Sequence, residues 1–325
     1  MTPELVTVGG LTVDNVVAAD GTVALDRAGG NGAYAAVGAL NLVDRVGLVS
    51  HAVASYPQDT LRRLEASGVD LGGVVFSDGR LTAGSWFLYD ADGQREEGLT
   101  APAAALTEAG FPTDRLTTTQ AARWREILVA RAPETGYSEF RQLHPLRADQ
   151  IPQDWLNACG VHLAPSGPDV MREMINCFAP KDAKITADPG AHLSGLPLDT
   201  IADILEVLDA FLPSEVEARA LVPGASPADA LAILANHCLG AVAIKLGPDG
   251  VLIWDRAAAS PVMVPAAPAR ALDPTGAGDA FCGGFLAGLI RTGDPMRAAQ
   301  TGARAAGRVV ECFGADGTLV AGAIA

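Results

Sequence analysis

The sequence predicts an α/β protein with a central, mostly parallel sheet, and three observations predict it. Short apolar runs alternate with longer helical patterns over most of the 325 residues, as parallel strands joined by crossover helices require. Hydrophobic residues make up 49% of the chain and charged residues 19%, with 36 glycines, a balance suited to close-packed layers rather than disorder. Serine followed by proline opens several helical stretches, at Ser55 and Pro57, Ser166 and Pro168, and Ser226 and Pro227. Proline is tolerated in a first helical turn, where its missing N–H would be unpaired anyway.

Taken in order, strands are expected at 5–9, 45–50, 160–164, 184–187, 210–212, 241–246 and 251–254. Helices are expected at 32–40, 57–67, 168–178, 199–208, 214–221, 227–237, 277–291 and 295–311. Two stretches, 13–25 and 81–89, look β-like, carry Ala-Asp-Gly turn signals at 19–21 and 91–93, and lead into no crossover helix. They predict a small second sheet made by two insertions, about 11–28 and 81–100, lying as a lid over the carboxyl-end crevice of the main sheet. One large α/β domain over 1–325 accommodates this length. The segment 101–150 contains one amphipathic piece around 121–130 and is assigned no role.

The formal net charge of −15 and pI near 4.6 repel a nucleic-acid backbone or an anionic membrane, so neither is expected as a partner. A small anion held by backbone dipoles and a cation remains compatible with that charge. The five cysteines, Cys159, Cys177, Cys238, Cys282 and Cys312, fall in no metal-binding or disulfide spacing and read as thiols in a reducing compartment. With no basic-then-apolar leader and no apolar run near ~20 residues, a cytoplasmic location is expected.

The chemistry concentrates in one string, Asp273-Pro-Thr-Gly-Ala-Gly-Asp-Ala-Phe-Cys-Gly-Gly-Phe-Leu-Ala-Gly288. Gly276 and Gly278 let the backbone curl, so that the amides of Gly276, Ala277 and Gly278 and the start of the next helix converge into an anion hole. Fixed donors of this kind stabilise the charge that spreads over a phosphoryl group in transfer. Asp279, in the first turn beside that hole, is placed to accept the proton of an attacking hydroxyl. An isolated Gly-x-Gly-Asp would be read as a first-turn acid complementing the helix dipole. The length of the string, and the apolar, glycine-studded helix it opens, favour the catalytic role.

This string closely resembles the C-terminal signature of the ribokinase-like (PfkB-type) carbohydrate kinases, and other segments are similar to the family in the same order. Val8-Gly-Gly-Leu-Thr-Val-Asp14 ends on the acid that the resemblance assigns to sugar hydroxyls. Gly29-Gly-Asn-Gly-Ala-Tyr-Ala-Ala-Val-Gly-Ala-Leu40 is similar to the family's N-terminal glycine motif and makes Gly30 and Asn31 substrate-facing. Leu212-Pro-Ser-Glu-Val-Glu-Ala218 resembles its Asn-x-x-Glu element, with Glu217 as the acid that organises magnesium. Ile244-Lys-Leu-Gly-Pro-Asp-Gly250 resembles a nucleotide-contacting strand and turn, bringing in Lys245, Gly247 and Gly250. Gly302 and Phe313-Gly-Ala315, with Gly314, fall where the family closes its adenine pocket. Outside this context Asn31 would be a helix cap, Glu217 a surface acid and Asp14 a turn residue.

The resemblance implies a three-layer α/β/α kinase with a β lid, using ATP and Mg²⁺ to phosphorylate a hydroxyl of a small sugar-like substrate. It also implies a monovalent-ion (K⁺) site around Asp273, Thr275 and Gly314. Separately, the edge strands of the lid could be covered by a twofold mate, giving a homodimer through the lid. Three departures stand out. Tyr34 occupies a position where many members carry a substrate-binding asparagine, and Ser214 replaces the usual asparagine of Asn-x-x-Glu. Lys245 replaces a hydroxyl residue, either to meet nucleotide phosphates or to pair with a surface acid. These departures leave open a catalytically weak protein on the same fold that binds a nucleotide or sugar as a regulator. Arg27, Arg80 and Arg95 could greet an acidic acceptor or simply be solvated.

Other nucleotide folds fit poorly. Gly30-Asn-Gly-Ala-Tyr-Ala35 matches a dinucleotide-binding G-x-G-x-x-A, yet it does not follow the first strand directly and no acid ends the next strand. A G-x-x-x-x-G-K-[ST] phosphate loop is absent from the sequence.

Overall fold

The computed structural model describes residues 2–54, 56–78, 85–91, 95–100, 110–111, 115–129 and 137–320. Ser55, Arg80, the expected strand residues 81–84, the turn residues Asp92 and Gly93, and 101–109, 112–114 and 130–136 of the unassigned segment lie outside them.

Thirteen strands form among the described residues: β1 (Leu5–Val8), β2 (Thr12–Val17), β3 (Val23–Gly29), β4 (Val46–Val53), β5 (Val69–Ser77), β6 (Ser85–Tyr89), β7 (Arg95–Thr100), β8 (Gly160–Leu163), β9 (Lys184–Ala187), β10 (Ala210–Phe211), β11 (Ala241–Lys245), β12 (Val251–Asp255) and β13 (Ser260–Val264). Nine make one sheet in the order β13-β12-β11-β10-β9-β8-β1-β4-β5. All its pairings are parallel except β11 with β12 and β12 with β13. The central strands read as continuous apolar runs because both faces are covered. Within β1, Val6 and Val8 join the core cluster that holds Met174, Phe178 and Leu234, whereas Leu5 joins the one that holds Tyr34, Leu48 and Leu286. The helices Pro168–Phe178 and Pro227–His237 thus back one face, and Asn31–Ala39 and Ala277–Thr292 the other, giving the three layers expected.

The last two helices meet backbone to backbone. A β-carbon on Gly283 would lie 1.8 Å from the carbonyl oxygen of Ala35, and one on Gly38 would lie 2.1 Å from that of Ala280. Close packing here anchors the mouth of the second helix against the segment that carries Asn31 and Tyr34.

β2, β3, β6 and β7 form the separate four-stranded sheet, in the order β3-β2-β6-β7. One of its faces packs Val17, Trp86 and Leu88 against Phe111, Leu116 and Leu128, so part of the unassigned segment, including the helix Thr118–Val129, covers this sheet.

The structure differs from expectation in four places. The helix predicted over 199–208 is a 3₁₀ turn, Leu198–Thr200, and one short helix, Ala202–Leu205. β5 was not predicted because Gly72 and Gly73 and Asp70 interrupt its apolar pattern; Gly73 leaves room for the ring of Trp155, 2.8 Å from where its β-carbon would be. β13 carries Pro261, which an edge strand tolerates. The helix Gly314–Val320 was likewise unpredicted. Among the described residues no helix is long and apolar enough to cross a membrane.

Candidate active site

Parallel strands deliver their following loops to one edge of the sheet, and the site is assembled there. Gly276 caps the helix Ala277–Thr292 with φ 74°, a left-handed conformation that side chains resist. A β-carbon on Gly276 would also strike the ring of Tyr34 at 2.2 Å, so the aromatic ring lies directly against the bend. Tyr34 is buried, and its hydroxyl has no hydrogen-bond partner among the described residues. Burial, reinforced by Asp14 and Asp273, pushes its ionisation well above the usual phenol range.

Asp273 is fully buried. Its Oδ1 accepts from the Thr275 amide at 2.9 Å, while its Oδ2 has no hydrogen-bond partner among the described residues. Burial raises its pKa despite the hydrogen bonds from Thr275 and Gly314. Tyr89, at the end of β6, reaches from the small sheet onto this bend, its hydroxyl 2.6 Å from Thr275 Oγ1.

Asp279 is half-buried in the first turn. Its pKa is raised to about 7, first by burial and then by Asp188 and Glu217, against the opposing pull of Lys245 and Arg95. Asp188 follows β9 directly and is bonded by Lys245, whose Nζ also lies 3.5 Å from Cys282 Sγ. Burial would lower the lysine pKa, but Asp188, Cys282 and Glu217 raise it well above its usual value, so the ammonium stays charged. Of the two readings of Lys245, the structure shows a pair with an acid, and that acid is buried rather than on the surface: only 4% of the Asp188 side chain is exposed.

Ser214 caps the helix Glu215–Leu221 in a reciprocal box: its amide donates to Glu217 Oε2 at 2.6 Å and its hydroxyl accepts from the Glu217 amide at 3.3 Å. Glu217 thus has one carboxylate oxygen committed to the cap. Its pKa rises through burial and the neighbouring Asp188.

Asp14, in β2, is 1% exposed and accepts from Thr12 Oγ1 at 2.7 Å. Burial, with Asp273 contributing, raises its pKa to about 7. A β-carbon at Gly29 would fall 1.9 Å from its carboxyl group, so only glycine on β3 leaves the acid this position. Gly30, with φ 95°, is the residue that caps Asn31–Ala39, not Asn31. The Asn31 side chain instead spans two strand ends: Oδ1 accepts from the Gly10 amide at 2.5 Å and Nδ2 donates to the Pro165 carbonyl at 3.4 Å.

The structure brings Asp14, Tyr34, Asp273, Thr275, Gly276 and Asp279 into one neighbourhood and sets Glu217, Lys245 and Gly278 beside it. Gly250, with φ 102°, makes the turn after β11, and Gly247 stands at its open tip. Gly314 lies against Arg27 and Asp316, whereas Gly302 packs against Phe281 of the neighbouring helix. Sequence reasoning missed Asp188, Tyr89 and His162. His162 is fully buried on β8, 2.9 Å from Thr186 Oγ1, and burial pulls its pKa down to about 4. For Asp188 a signal existed, an acid immediately after an apolar strand at its carboxyl end.

Known proteins resemble this chain throughout. It is 27% identical over 294 residues to a cytidine kinase of Thermococcus kodakarensis, covering 90% of each. It is 27% identical over 311 residues to an ATP-dependent ribose-1-phosphate kinase of Halopiger xanaduensis, covering 92% of this chain and 88% of that one. A crystal structure of a ribokinase II from E. coli in complex with ATP and Mg²⁺ superposes with a TM-score of 0.66 at 19% identity, covering 97% and 96% of the two chains. The family model for pfkB family carbohydrate kinases matches residues 152–321, more than half of the chain. The chain therefore belongs to the pfkB family of carbohydrate kinases.

Proposed function

We propose that this kinase transfers the γ-phosphate of ATP to a hydroxyl of a sugar or a sugar-bearing acceptor, with Asp279 as general base. The observation that carries it is Asp279 itself: a first-turn acid next to a left-handed glycine bend, raised to about 7 by its surroundings. A base near neutrality both takes a proton and is free to do so. The acceptor hydroxyl loses its proton to Asp279 as its oxygen forms a bond to the γ-phosphorus, and the bond to the β–γ bridging oxygen breaks to leave ADP. The Gly276, Ala277 and Gly278 amides hold the moving phosphoryl group. Asp14 orients the acceptor, and Asn31, tying Gly10 to Pro165, keeps the acceptor-side loops in register. The small sheet, latched to the bend through Tyr89 and Thr275, excludes water as a lid.

The donor set suits magnesium that arrives on nucleotide phosphates. Among the described residues no group of three or more acids, histidines or cysteines could hold a metal alone, and magnesium commonly uses one or two carboxylates plus phosphate oxygens. Glu217, through the oxygen not used by the cap, would hold it, and the ion would neutralise charge on the transferring phosphate. Ser214, Lys245, Gly247, Gly250, Gly302 and Gly314 belong to the nucleotide side in this reading. The unpartnered Asp273 Oδ2 favours a K⁺ site with Thr275 and Gly314, since a buried carboxylate oxygen calls for a cation or donor. One domain over 1–325, paired with a second copy through the lid edge, completes the proposal.

A coupled ADP-release assay across free sugars, sugar phosphates and nucleosides tests it. Acceptor-dependent ADP release is expected. Release no faster than without acceptor, alongside intact ligand binding, would assign the protein to regulation instead.

A further inference from the structure

The proposed acceptor site has a second wall that the reaction does not use. β4 runs beside β1, and where Gly9 and Gly10 leave β1, His51 stands near the carboxyl end of β4. The helix Tyr137–Leu143 brings Phe140 over that end, with His144 just beyond it. The three rings form one cluster: Phe140 and His144 have centroids 4.8 Å apart, His51 and His144 5.5 Å, and His51 and Phe140 6.5 Å at 86°. All three residues are half-buried. Arg141 fixes this helix to the site, donating to the Pro165 carbonyl and to Ser166 Oγ, each at 3.1 Å. The same carbonyl accepts from Asn31, so one oxygen ties the aromatic cluster to the residue that holds the acceptor-side loops together.

We infer that the acceptor carries a flat heteroaromatic base as well as its sugar, and that the base stacks on the Phe140, His144 and His51 wall; the inference rests on the proposed phosphotransfer. A free pentose offers such a cluster only C–H groups, whereas a base stacks ring against ring. A base has a π-face whatever its identity. A phosphorylated sugar would need a cation in the same place; burial, and then the neighbouring His144, lower the His51 pKa, and the Arg141 guanidinium donates to Pro165 and Ser166. Gln150 braces the wall from behind, its Nε2 lying 3.4 Å from the His51 ring and 3.4 Å from the Ser50 carbonyl while its Oε1 accepts from the Arg147 amide at 2.7 Å.

The test compares kcat/KM for cytidine, uridine, adenosine and inosine with that for ribose and ribose-1-phosphate, using ATP and Mg²⁺. At least one nucleoside should exceed both by about tenfold or more, the scale of one base–aromatic stack. Phe140→Ala should lower the nucleoside-to-ribose ratio by about tenfold, acting mainly through KM, and Phe140→Trp should restore it, which separates lost stacking from misfolding. Preference for ribose or ribose-1-phosphate over every nucleoside, or a ratio that Phe140→Ala leaves unchanged, overturns the inference while leaving phosphotransfer standing. If no acceptor drives ADP release, phosphotransfer fails and calorimetry decides the wall separately. Nucleoside binding weakened by Phe140→Ala, in the presence of a non-hydrolysable ATP analogue, then supports the wall; no nucleoside heat overturns it.

Discussion

The two ends of the crevice hold acids of similar pKa but are built differently. At the phosphate end, Asp279 sits above a cation that is part of the framework, Lys245, which is locked to Asp188 and touches Cys282. At the acceptor end, Asp14 has a neutral hydroxyl donor, Thr12, the acid Asp273 and the cation Arg95 in its field, and nearby Tyr34, whose hydroxyl has no hydrogen-bond partner among the described residues. One end holds a buried ion pair, and the other keeps polar groups without a protein partner among the described residues. A site that must bind a hydroxyl-rich molecule gains from unsatisfied groups, because the ligand supplies the missing hydrogen bonds, whereas a site that handles a moving charge gains from fixed ones.

Removing the compensation should have the largest effect. Lys245→Met leaves Asp188 buried and alone, and should cost about 3–5 kcal/mol in denaturant unfolding. Lys245→Met combined with Asp188→Leu should recover most of that loss. If the single variant unfolds like the unaltered protein, the phosphate end is not held by this pair.

The pH profile sharpens the comparison next. Asp14 and Asp279 are raised from 3.8 to about 7, so the folded protein keeps protons that the unfolded chain has released. Without ligand, stability should therefore fall as pH rises from about 4 to about 7 and level off above it. Asp14→Asn should flatten part of that slope and raise stability at pH 8. Catalysis should run the other way, kcat/KM dropping about tenfold per pH unit below about 7 as Asp279 takes up its proton. A profile flat between pH 5 and 8 would contradict the assignment of Asp279.

Tyr34→Phe should have the smallest effect on stability. The hydroxyl makes no hydrogen bond, so its removal should be neutral or stabilise by about 1 kcal/mol, read as a shift in Tm, while KM for the acceptor rises. A clear loss of stability would mean that the hydroxyl has a partner in solution.

The same contrast explains what could be read from sequence. The phosphate end is mostly one contiguous string: Gly276 to Asp279 carries its own turn chemistry, and the length of the string with the glycine-studded helix it opens points to an anion hole and a base. Of its remaining parts, Ser214 and Glu217 follow β10 and Lys245 ends β11, strands whose apolar runs are plain, whereas Asp188 and Tyr89 escaped. The acceptor end is stitched from distant segments. Asn31 reads as a cap until Gly10 and Pro165 meet its side chain, and nothing local says that His51 and Phe140 come together. Long-range pairing of this kind has no period or turn signal, which is also why β5, defined by its partner β4 and by the ring of Trp155, was unreadable.

The most direct test of the central claim is single-turnover transfer from γ-labelled ATP to the best acceptor by Asp279→Asn, with nucleotide affinity and Tm measured on the same sample. Transfer should slow by about 10²- to 10⁴-fold while affinity and Tm stay close to those of the unaltered protein. Transfer at the unaltered rate would show that another group takes the proton.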